Sequence, residues 1–593
     1  MQDDSDVTFS MDAATPATPA RRAYTLVFAG GLGSAGRLGG LAPIDKDSFV
    51  EVLSRARPEV TLALPPPVGA GADWELALTF GSLAAFEAEG LLRQVPQAEA
   101  RLALWQQVRE RRAGRLSAAE LDAAVGAAVA ADGTLQWLRE GRSGAEPKAG
   151  GAVPTSGSIL DMIDEPDAAR RVSADVERLA AEAGTPEARL SGAESRRLDE
   201  WAGRLHAELT TIASALWQHP EVRRLEAAWR AVKFLVDRLD FRAGVRLAML
   251  DAPREEVVAC LNEHVVEAAF AGDVDTPGLV LLDSPFRNEP ADIALLDELA
   301  QLGASLAVPL VFALEPVFFD VRSANLIKNL PNLSNLVDGW QFAKWRALRD
   351  QPYSRWLAAV MGRFLLRAPH ARRPDSREFT CDEQCTAASQ AMWAGGHLAM
   401  GLCAGRAFAT HGWPTRMYGA QAGKVGDLPV IPNPADAQKP WGPGDLTLPD
   451  RRIDELPAVG INVLQSIPGT DGCVLLGGVT VARPKVTADI GAQQAALEIS
   501  VPYQQFSNIT GAWLSEQAPE LHGLPDEEIQ KRLLFGLRDL LRLTAEDSSE
   551  AVMVGVGAAA DDAARRQVHV RITPPGRIVP GGLHVDFAFT VRS

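Results

Sequence analysis

The sequence predicts a mixed α/β fold, in which a central mixed sheet is flanked by helices and extended strands lie at the chain ends. Residues 278–315 read strand, loop, helix, strand, which is a βαβ unit and requires parallel neighbours in a sheet. Residues 185–239 carry apolar residues at three- and four-residue spacing, with a break near Pro220. Residues 566–572 and 583–591 alternate apolar with polar residues, the period of a half-buried strand.

The composition excludes several classes of protein. The 593 residues are 47% hydrophobic and 23% charged, which is ordinary for a globular chain of several domains. A net charge of −17 argues against a nucleic-acid partner held by phosphate neutralisation, and five cysteines are typical of a reducing cytoplasm. The N-terminus lacks the apolar segment of a signal peptide, and prolines interrupt the most apolar stretch, residues 302–319. We therefore expect a cytoplasmic protein without membrane insertion.

A glycine-rich sequence, GLGSAG at residues 31–36, follows a predicted buried strand at residues 24–29. This G-x-G-x-x-G pattern binds a dinucleotide only where a helix begins inside it, because the helix N-terminus holds the pyrophosphate. Pro43 opposes a helix here, and the first credible helix spans residues 45–56, with Asp47 as its N-cap. We therefore interpret the motif as a turn after a strand and expect no bound cofactor.

The other motifs of catalysis or metal binding are incomplete. GAQAGKVGDLP at residues 419–429 has neither the glycine spacing of a P-loop nor a Ser or Thr after Lys424, so it predicts a glycine-rich loop with an exposed lysine. Cys381 and Cys385 have no second cysteine pair, so we expect no metal site. His397 borders an apolar helix and is interpreted as a core residue with ordinary hydrogen bonds. We expect no catalytic residues and a protein that is not an enzyme.

Composition and pattern divide the chain into six segments. They are an N-terminal arm (1–22) with a possible strand at 7–11, a first α/β region (23–142), a Gly/Pro/Ser-rich linker (143–157), a helical region (158–240), a second α/β region (241–430) and a C-terminal region (431–593). Directly after the linker, Ile159, Leu160 and Ile163 lie on one face of a short predicted helix. Such an isolated amphipathic turn is either a docking peptide or part of a core.

Several segments together resemble one family. They are HPEVRRLEAAWRAVKFLVDR (219–238), DSPFRNEPADIALLDELA (283–300), NLPNLSNLVDGWQFAKWRALRD (329–350), GRFLLRAPH (362–370) and HGWPTRMYGAQAGKVGDLP (411–429). They are similar to the large subunit of the type VI secretion contractile sheath (TssC, or VipB), and the resemblance covers residues 158–593. PIDKDSFVEVL (43–53) and LLRQVPQAEARLALWQQV (91–108) resemble the small sheath subunit (TssB, or VipA). The chain therefore resembles both subunits fused through the linker.

The resemblance implies a contractile-sheath protomer. Such protomers form hexameric rings around a tube of Hcp protein, meet a baseplate, contract to propel the tube, and are recycled by the ClpV AAA+ unfoldase. Ile159, Leu160 and Ile163 match the ClpV-binding helix, which in this chain is tethered at both ends.

The resemblance also implies which residues lie at the assembly contacts. The tube-facing candidates are Lys531, Arg532, Arg538 and Arg542, with a solvated helix face as the alternative. Strands exchanged between protomers are a feature of the family, because strand addition satisfies an open sheet edge. The candidates are Val7 and Phe9 in the N-terminal arm and Leu583, Val585, Phe587, Phe589 and Val591 at the C-terminus, with pairing inside one protomer as the alternative.

A second interpretation keeps the fold and changes the role. The chain could be a sheath-fold adaptor or cap, or the sheath of a related contractile injection system, that does not itself form a long contractile tube. Filament formation distinguishes the two.

Overall fold

The computed structural model describes residues 23–69, 71–140, 190–385, 387–431, 442–486, 491–544, 546–558, 565–579, 581 and 584–592. The strands are β1 (Tyr24–Gly30), β2 (Ala42–Ile44), β3 (Glu59–Leu64), β4 (Trp74–Thr79), β5 (Val245–Asp251), β6 (Leu279–Phe286), β7 (Leu310–Leu314), β8 (Leu357–Met361), β9 (Arg363–Arg367), β10 (Met392–Gly395), β11 (Lys424–Val425), β12 (Ile461–Ser466), β13 (Cys473–Leu476), β14 (Val552–Ala558), β15 (Arg565–Ile572) and β16 (Val585–Arg592).

The α-helices are α1 (Phe49–Ala56), α2 (Ala88–Leu92), α3 (Pro96–Arg112), α4 (Ala118–Ala131), α5 (Trp137–Glu140), α6 (Gly192–Gln218), α7 (Pro220–Arg238), α8 (Val257–Leu261), α9 (Ala268–Ala271), α10 (Pro290–Leu306), α11 (Leu333–Val337), α12 (Ala343–Arg349), α13 (Gly396–His411), α14 (Asp450–Ala458), α15 (Ala492–Glu498), α16 (Val501–Gln517) and α17 (Asp526–Leu540). A π-helical turn, Asn262–Glu267, joins α8 to α9. Among the described ranges, no helix is long and apolar enough to cross a membrane.

A nine-stranded mixed sheet lies at the centre of the fold, in the order β11-β13-β12-β8-β7-β6-β1-β5-β2. The strands from β12 to β5 in that order are parallel, and β13, β11 and β2 extend the sheet antiparallel at its two edges. The βαβ unit predicted for residues 278–315 is confirmed as β6, α10 and β7. The prediction of a mixed central sheet with flanking helices is confirmed as well.

Strand β1 lies in the middle of this sheet, between β5 and β6 and parallel to both. Leu26 and Phe28 pack in one core with α7 and α13, whereas Val27 and Ala29 pack in a second core with α8 and α10. Burial on both faces explains why β1 is a continuous apolar run rather than an alternating one. The central sheet therefore combines strands from the 23–142, 241–430 and 431–593 segments.

The helix predicted at residues 45–56 is α1, but its cap is not Asp47. Ser48 occupies the N-cap position, and its side chain makes no capping hydrogen bond. Instead, the Asp45 carboxylate accepts from the main-chain N–H groups of Asp47 at 3.0 Å and Ser48 at 2.8 Å. The prediction was wrong because the helix starts one residue later than an Asp47 cap requires, and Asp45 holds the turn before it, accepting also from the Ser48 hydroxyl at 2.7 Å.

A network of buried charges ties α7 to β9. Arg367 Nε lies 2.7 Å from Glu226 Oε1, and Arg367 Nη1 lies 2.6 Å from Glu383 Oε2. Arg230 Nε donates to the same Glu226 oxygen at 2.5 Å. Although burial acts to raise the pKa of Glu226, Arg367 and Arg230 together hold it below its usual range. The network therefore keeps the Glu226 carboxylate ionised inside the core.

The C-terminal strands form a second, three-stranded antiparallel sheet in the order β14-β15-β16. Its apolar face packs on α16 and α17 and makes a separate small core, which includes Phe506, Leu533, Val568 and Val570. The strands predicted at 566–572 and 583–591 are confirmed as β15 and β16.

Candidate assembly interface

Part of the predicted assembly surface lies outside the described residues. This holds for Val7 and Phe9 in the N-terminal arm, for Leu583, and for the helix anchors Ile159, Leu160 and Ile163. The linker at 143–157 also lies outside them. The four remaining strand residues and the four cationic residues can be located.

Strand β16 pairs with β15 of the same chain along its whole length, from Arg592 opposite Arg565 to Val585 opposite Ile572. Val585 and Val591 are buried, while Phe587 and Phe589 are half-buried. All four belong to the face that packs on α16 and α17. A Cβ placed on Gly511 of α16 would lie 3.4 Å from the Phe587 ring. The predicted apolar face of this strand is thus used inside its own chain.

The opposite edge of β16 is open within the part of the chain that the structure describes, because the sheet ends at this strand. At the two ends of that edge, a main-chain group is already hydrogen-bonded to a side chain of the same chain. Tyr503 Oη donates to the main-chain oxygen of His584 at 3.0 Å, and Arg592 N–H donates to His522 Nδ1 at 2.9 Å. Burial raises the pKa of Tyr503 to about 12, which keeps its hydroxyl a donor.

These two contacts fix which main-chain groups face outward. His584 and Arg592 point away from β15, and groups alternate along an antiparallel strand, so Asp586, Ala588 and Thr590 also point away. The side chains of these three residues are exposed. The edge between the closed ends therefore offers N–H and C=O groups to an incoming strand.

Helix α17 carries the cationic residues that the resemblance assigned to the inner tube. Lys531 and Arg542 are exposed, and Arg538 is half-buried. Arg532 Nη2 lies 2.8 Å from Glu520 Oε2, so its charge is matched within the chain. Lys531 and Arg538 share one side of α17, because they are seven residues apart. Arg542 lies two residues after the helix ends at Leu540, with a φ of 49°, and so follows the C-terminal end of α17.

Phe535 lies on the same side, four residues after Lys531 and three before Arg538. It is 63% exposed, which is unusual for an aromatic side chain of its size. Lys531, Phe535, Arg538 and Arg542 form what we call the α17 stripe. An exposed aromatic residue framed by cations is a frequent composition of protein-binding surfaces. The sequence analysis missed Phe535 because the helical period alone does not reveal which face is covered.

Strand β14 was also missed. Its sequence, VMVGVGA, contains two glycines, which lower β propensity and conceal the alternation of Val552, Val554 and Val556. The three valines were the signal that could have identified it. Together with β16 it gives the C-terminal sheet two outer edges in the described part of the chain.

The glycine-rich loop after β1 is a turn, as predicted, with no helix beginning at residues 31–36. Its amides are already used: Asp251 at the end of β5 accepts from Leu32 N–H at 2.7 Å and from the N–H and Oγ of Ser34 at 2.7 and 2.5 Å. In a dinucleotide site these amides would face phosphate. The polar groups of this loop therefore bond to the end of β5 in the same sheet.

The other sequence motifs have structural roles. Lys424 is exposed, as predicted, but it lies in the short strand β11 rather than in a loop. Among the described residues, no three His, Cys, Asp or Glu side chains form a metal-binding group. His397 differs from its interpretation, because neither ring nitrogen has a hydrogen-bond partner in the described ranges. Its Nε2 lies 3.6 Å from Asp283 Oδ1, beyond hydrogen-bonding distance.

The solved structures similar to this chain include two contractile sheaths. The sheath of the anti-feeding prophage (AFP) in the contracted state is 13% identical, with a TM-score of 0.31, over 61% of this chain and 78% of that chain. The sheath complex of an extracellular contractile injection system, PVC, also contracted, is 10% identical, with a TM-score of 0.29, over 62% and 76%.

Comparison of the sequence gave two further matches. Type VI secretion system sheath protein TssC1 of Pseudomonas aeruginosa is 27% identical over 320 residues, which make up 50% of this chain. The chain spans 64% of the length of that relative. Residues 199–482 match the model of the family described as VipB, EvpB/VC_A0108, tail sheath N-terminal domain. Residues 199–482, just under half of the chain, are thus similar to a tail-sheath domain of the VipB type.

Proposed function

We propose that this protein is a structural, non-enzymatic protomer of the contractile sheath of a type VI secretion system. The observation that carries the proposal is the match of residues 199–482 to a tail-sheath domain. In this role the protein polymerises in the cytoplasm as hexameric rings around an Hcp tube, on a baseplate, and contracts to propel the tube.

Self-assembly requires a contact that repeats from one copy to the next. We assign one such contact to the open edge of β16, where Asp586, Ala588 and Thr590 present outward main-chain groups. Residues 7–11 are the proposed donor, because VTFSM is a short apolar strand sequence in an otherwise polar arm. The face of β16 stabilises its own chain, and the edge of β16 joins the next one.

The α17 stripe is the proposed contact with the inner tube. Its aromatic residue supplies apolar area, and its cations select an acidic partner surface. Arg532 is excluded from this role, since Glu520 already matches its charge.

Residues 23–142 are proposed to take the place of the small sheath subunit. The position of β1 between β5 and β6 supports this, because a fused chain keeps that strand at a high local concentration beside its sheet. Ile159, Leu160 and Ile163, after the linker, are the proposed anchors for a ClpV unfoldase.

Electron microscopy of the purified full-length protein, with and without Hcp, tests the proposal. We expect hollow tubes or stacked rings. Closed small oligomers that do not extend when Hcp is added would contradict it and favour an adaptor or cap.

A single substitution tests the proposed contact at the edge of β16. Removing β16 would delete the buried Val585 and Val591 and uncover the core that includes Val568 and Val570 of β15, so a truncation would confuse folding with assembly. Ala588→Pro removes one outward N–H and blocks an added strand while leaving the pairing with β15 in place. Ala588→Val at the same site keeps the N–H and is the matched control. We expect Ala588→Pro to fold and not polymerise, and Ala588→Val to polymerise normally.

A further inference from the structure

A cavity of about 1330 Å³ opens at the carboxyl ends of β5, β1 and β6. Its walls are the loops that follow these three strands, together with the first turns of α7 and the helices that start at Val257 and Pro290. On one side of β1 lie β5 and β2, and from β5 the chain crosses over β1 to β6 on the other side, so the connections diverge at this point. In open α/β sheets, ligands bind in the crevice formed where connections diverge.

The arginines that line the cavity are already matched by carboxylates. The pairs are Arg224 with Glu221 at 3.0 Å, Arg254 with Asp292 at 2.6 Å and Arg287 with Glu315 at 2.5 Å. The loop amides of Leu32 and Ser34 are held by Asp251. The donors that would hold a phosphate or a carboxylate ligand are therefore occupied.

Three other carboxylates at the same cavity are not matched by a cation. Asp283 on β6 and Glu255 and Glu256 before α8 line it, and no Arg or Lys of the described residues forms an ion pair with any of them. Glu255 and Glu256 are exposed at the rim, whereas the side chain of Asp283 is 25% exposed at the base. The charge left unmatched in this cavity is negative.

Behind Asp283 lies His397, which is 2% exposed. Both of its ring nitrogens lack a partner among the described residues, and Nε2 points to Asp283 Oδ1 across 3.6 Å. Buried polar side chains are nearly always hydrogen-bonded, and His397, the nearest polar side chain behind Asp283, makes no hydrogen bond to it, so the Asp283 carboxylate stays available to a ligand. His397 does not line the cavity, so a ligand there would reach Asp283 alone.

We propose that this cavity binds a small aliphatic polyamine. One ammonium group donates to Asp283 at the base, and a second meets Glu255 and Glu256 at the rim. The methylene chain between them covers the apolar side chains of Leu38 and Val257, which also line the cavity. The inference is independent of the sheath role, which does not use this cavity.

Isothermal titration calorimetry of the full-length protein with spermidine, at about 0.15 M salt to screen surface charge, tests the proposal. We expect one saturable site per chain. Asp283→Asn should weaken binding about tenfold or more, because it removes the carboxylate at the base. The double variant Glu255→Gln/Glu256→Gln changes only exposed residues and should weaken binding several-fold without affecting folding. Glu527→Gln, an exposed carboxylate on α17, is the matched control and should bind spermidine as the unmodified protein does.

Two results would overturn the proposal. Equal weakening by Glu527→Gln and the cavity variants would mean that the net charge of −17 attracts polyamines without a site. Saturable binding of ATP titrated without spermidine, and its loss in the cavity variants, would mean that the cavity selects anions. If Asp283→Asn does not fold, the double variant Glu255→Gln/Glu256→Gln is the test. Unchanged affinity of that variant for spermidine would contradict a polyamine site in this cavity.

Discussion

Tyr24 and Gln505 are 481 positions apart and share a buried hydrogen bond, in which Tyr24 Oη donates to Gln505 Oε1 at 2.8 Å. The Gln505 amide in turn donates to the main-chain oxygen of Gly278 at 3.1 Å. One glutamine of α16 therefore connects the strand β1 to the residue before β6. The first strand and the C-terminal helices are held in one structure by this contact.

Tyr24→Phe should lower the free energy of unfolding by about 1–3 kcal/mol, because Gln505 Oε1 then stays buried without a donor. Urea unfolding of the variant measures this. Tyr503→Phe is the matched control, since its hydroxyl bonds to the main-chain oxygen of an exposed residue, His584, and it should cost about 1 kcal/mol or less. Equal losses in both variants would mean that burial of the Tyr24–Gln505 bond adds nothing.

Glu226→Gln should destabilise the fold by about 3–5 kcal/mol, because Arg367 and Arg230 lose their buried counter-charge. Glu221→Gln, one turn earlier on α7, removes a carboxylate that is 48% exposed and should cost about 1 kcal/mol or less. Chemical unfolding at neutral pH compares the two. A small loss for Glu226→Gln would show that the network is dispensable for stability.

The pair Asp283 and His397 should give opposite contributions to stability as the pH falls. Burial raises the pKa of Asp283 to about 6, against the opposing effect of Arg224, so the folded state takes up a proton below about pH 6 that the unfolded state has released. This contribution stabilises the fold on acidification. Burial lowers the pKa of His397 to about 3, so below its ordinary pKa of 6.5 the unfolded state binds the extra proton and the fold loses stability.

Asp283→Asn removes the first contribution and leaves the second. Between pH 6.5 and about pH 5, this variant should lose more stability than the unmodified protein, by about 1 kcal/mol. His397→Leu should show the reverse, with stability maintained or rising over the same interval. Unfolding midpoints at a series of pH values measure both, and parallel pH profiles for all three proteins would rule out the pair as their source.

Phe535→Ser should leave the stability of the protein within about 0.5 kcal/mol, since the side chain is 63% exposed. It should nevertheless reduce co-sedimentation with preformed Hcp tubes several-fold, because the α17 stripe loses its apolar anchor. Val50→Ser, at a residue that is 70% exposed on α1, is the control and should bind as the unmodified protein does. Loss of binding in both variants would indicate non-specific hydrophobic association rather than a specific contact at the α17 stripe.

The elements that the sequence predicts well are those whose evidence is local. Tyr24–Gly30 is a strand because apolar residues run without interruption and glycines end it, and the break before α7 follows from Pro220. The turn after β1 was correctly predicted for a local reason, the lack of a helix to receive a phosphate. Its true partner, Asp251, lies more than two hundred residues away and left no local signal.

The errors have two origins, one in contacts between distant elements and one in ambiguous local patterns. His397 looks like an ordinary core histidine until β6 brings Asp283 to it. Asp47 looks like a cap, but Ser48 occupies that position, after a turn that Asp45 holds. Strand β14 escaped notice because its two glycines hide the alternation of its valines. Contacts that depend on which elements meet cannot be predicted from spacing within one element.

The central position of β1 has a consequence for synthesis of the chain. Ribosomes add about 5–20 residues per second, and both sheet neighbours of β1 begin roughly two hundred or more residues later. For about 10–40 s the nascent chain therefore carries an apolar strand that has no partner on either side. Trigger-factor-type chaperones that shield such segments, and codon choices that set the pace of this interval, should determine how much of the chain reaches its sheet before it aggregates.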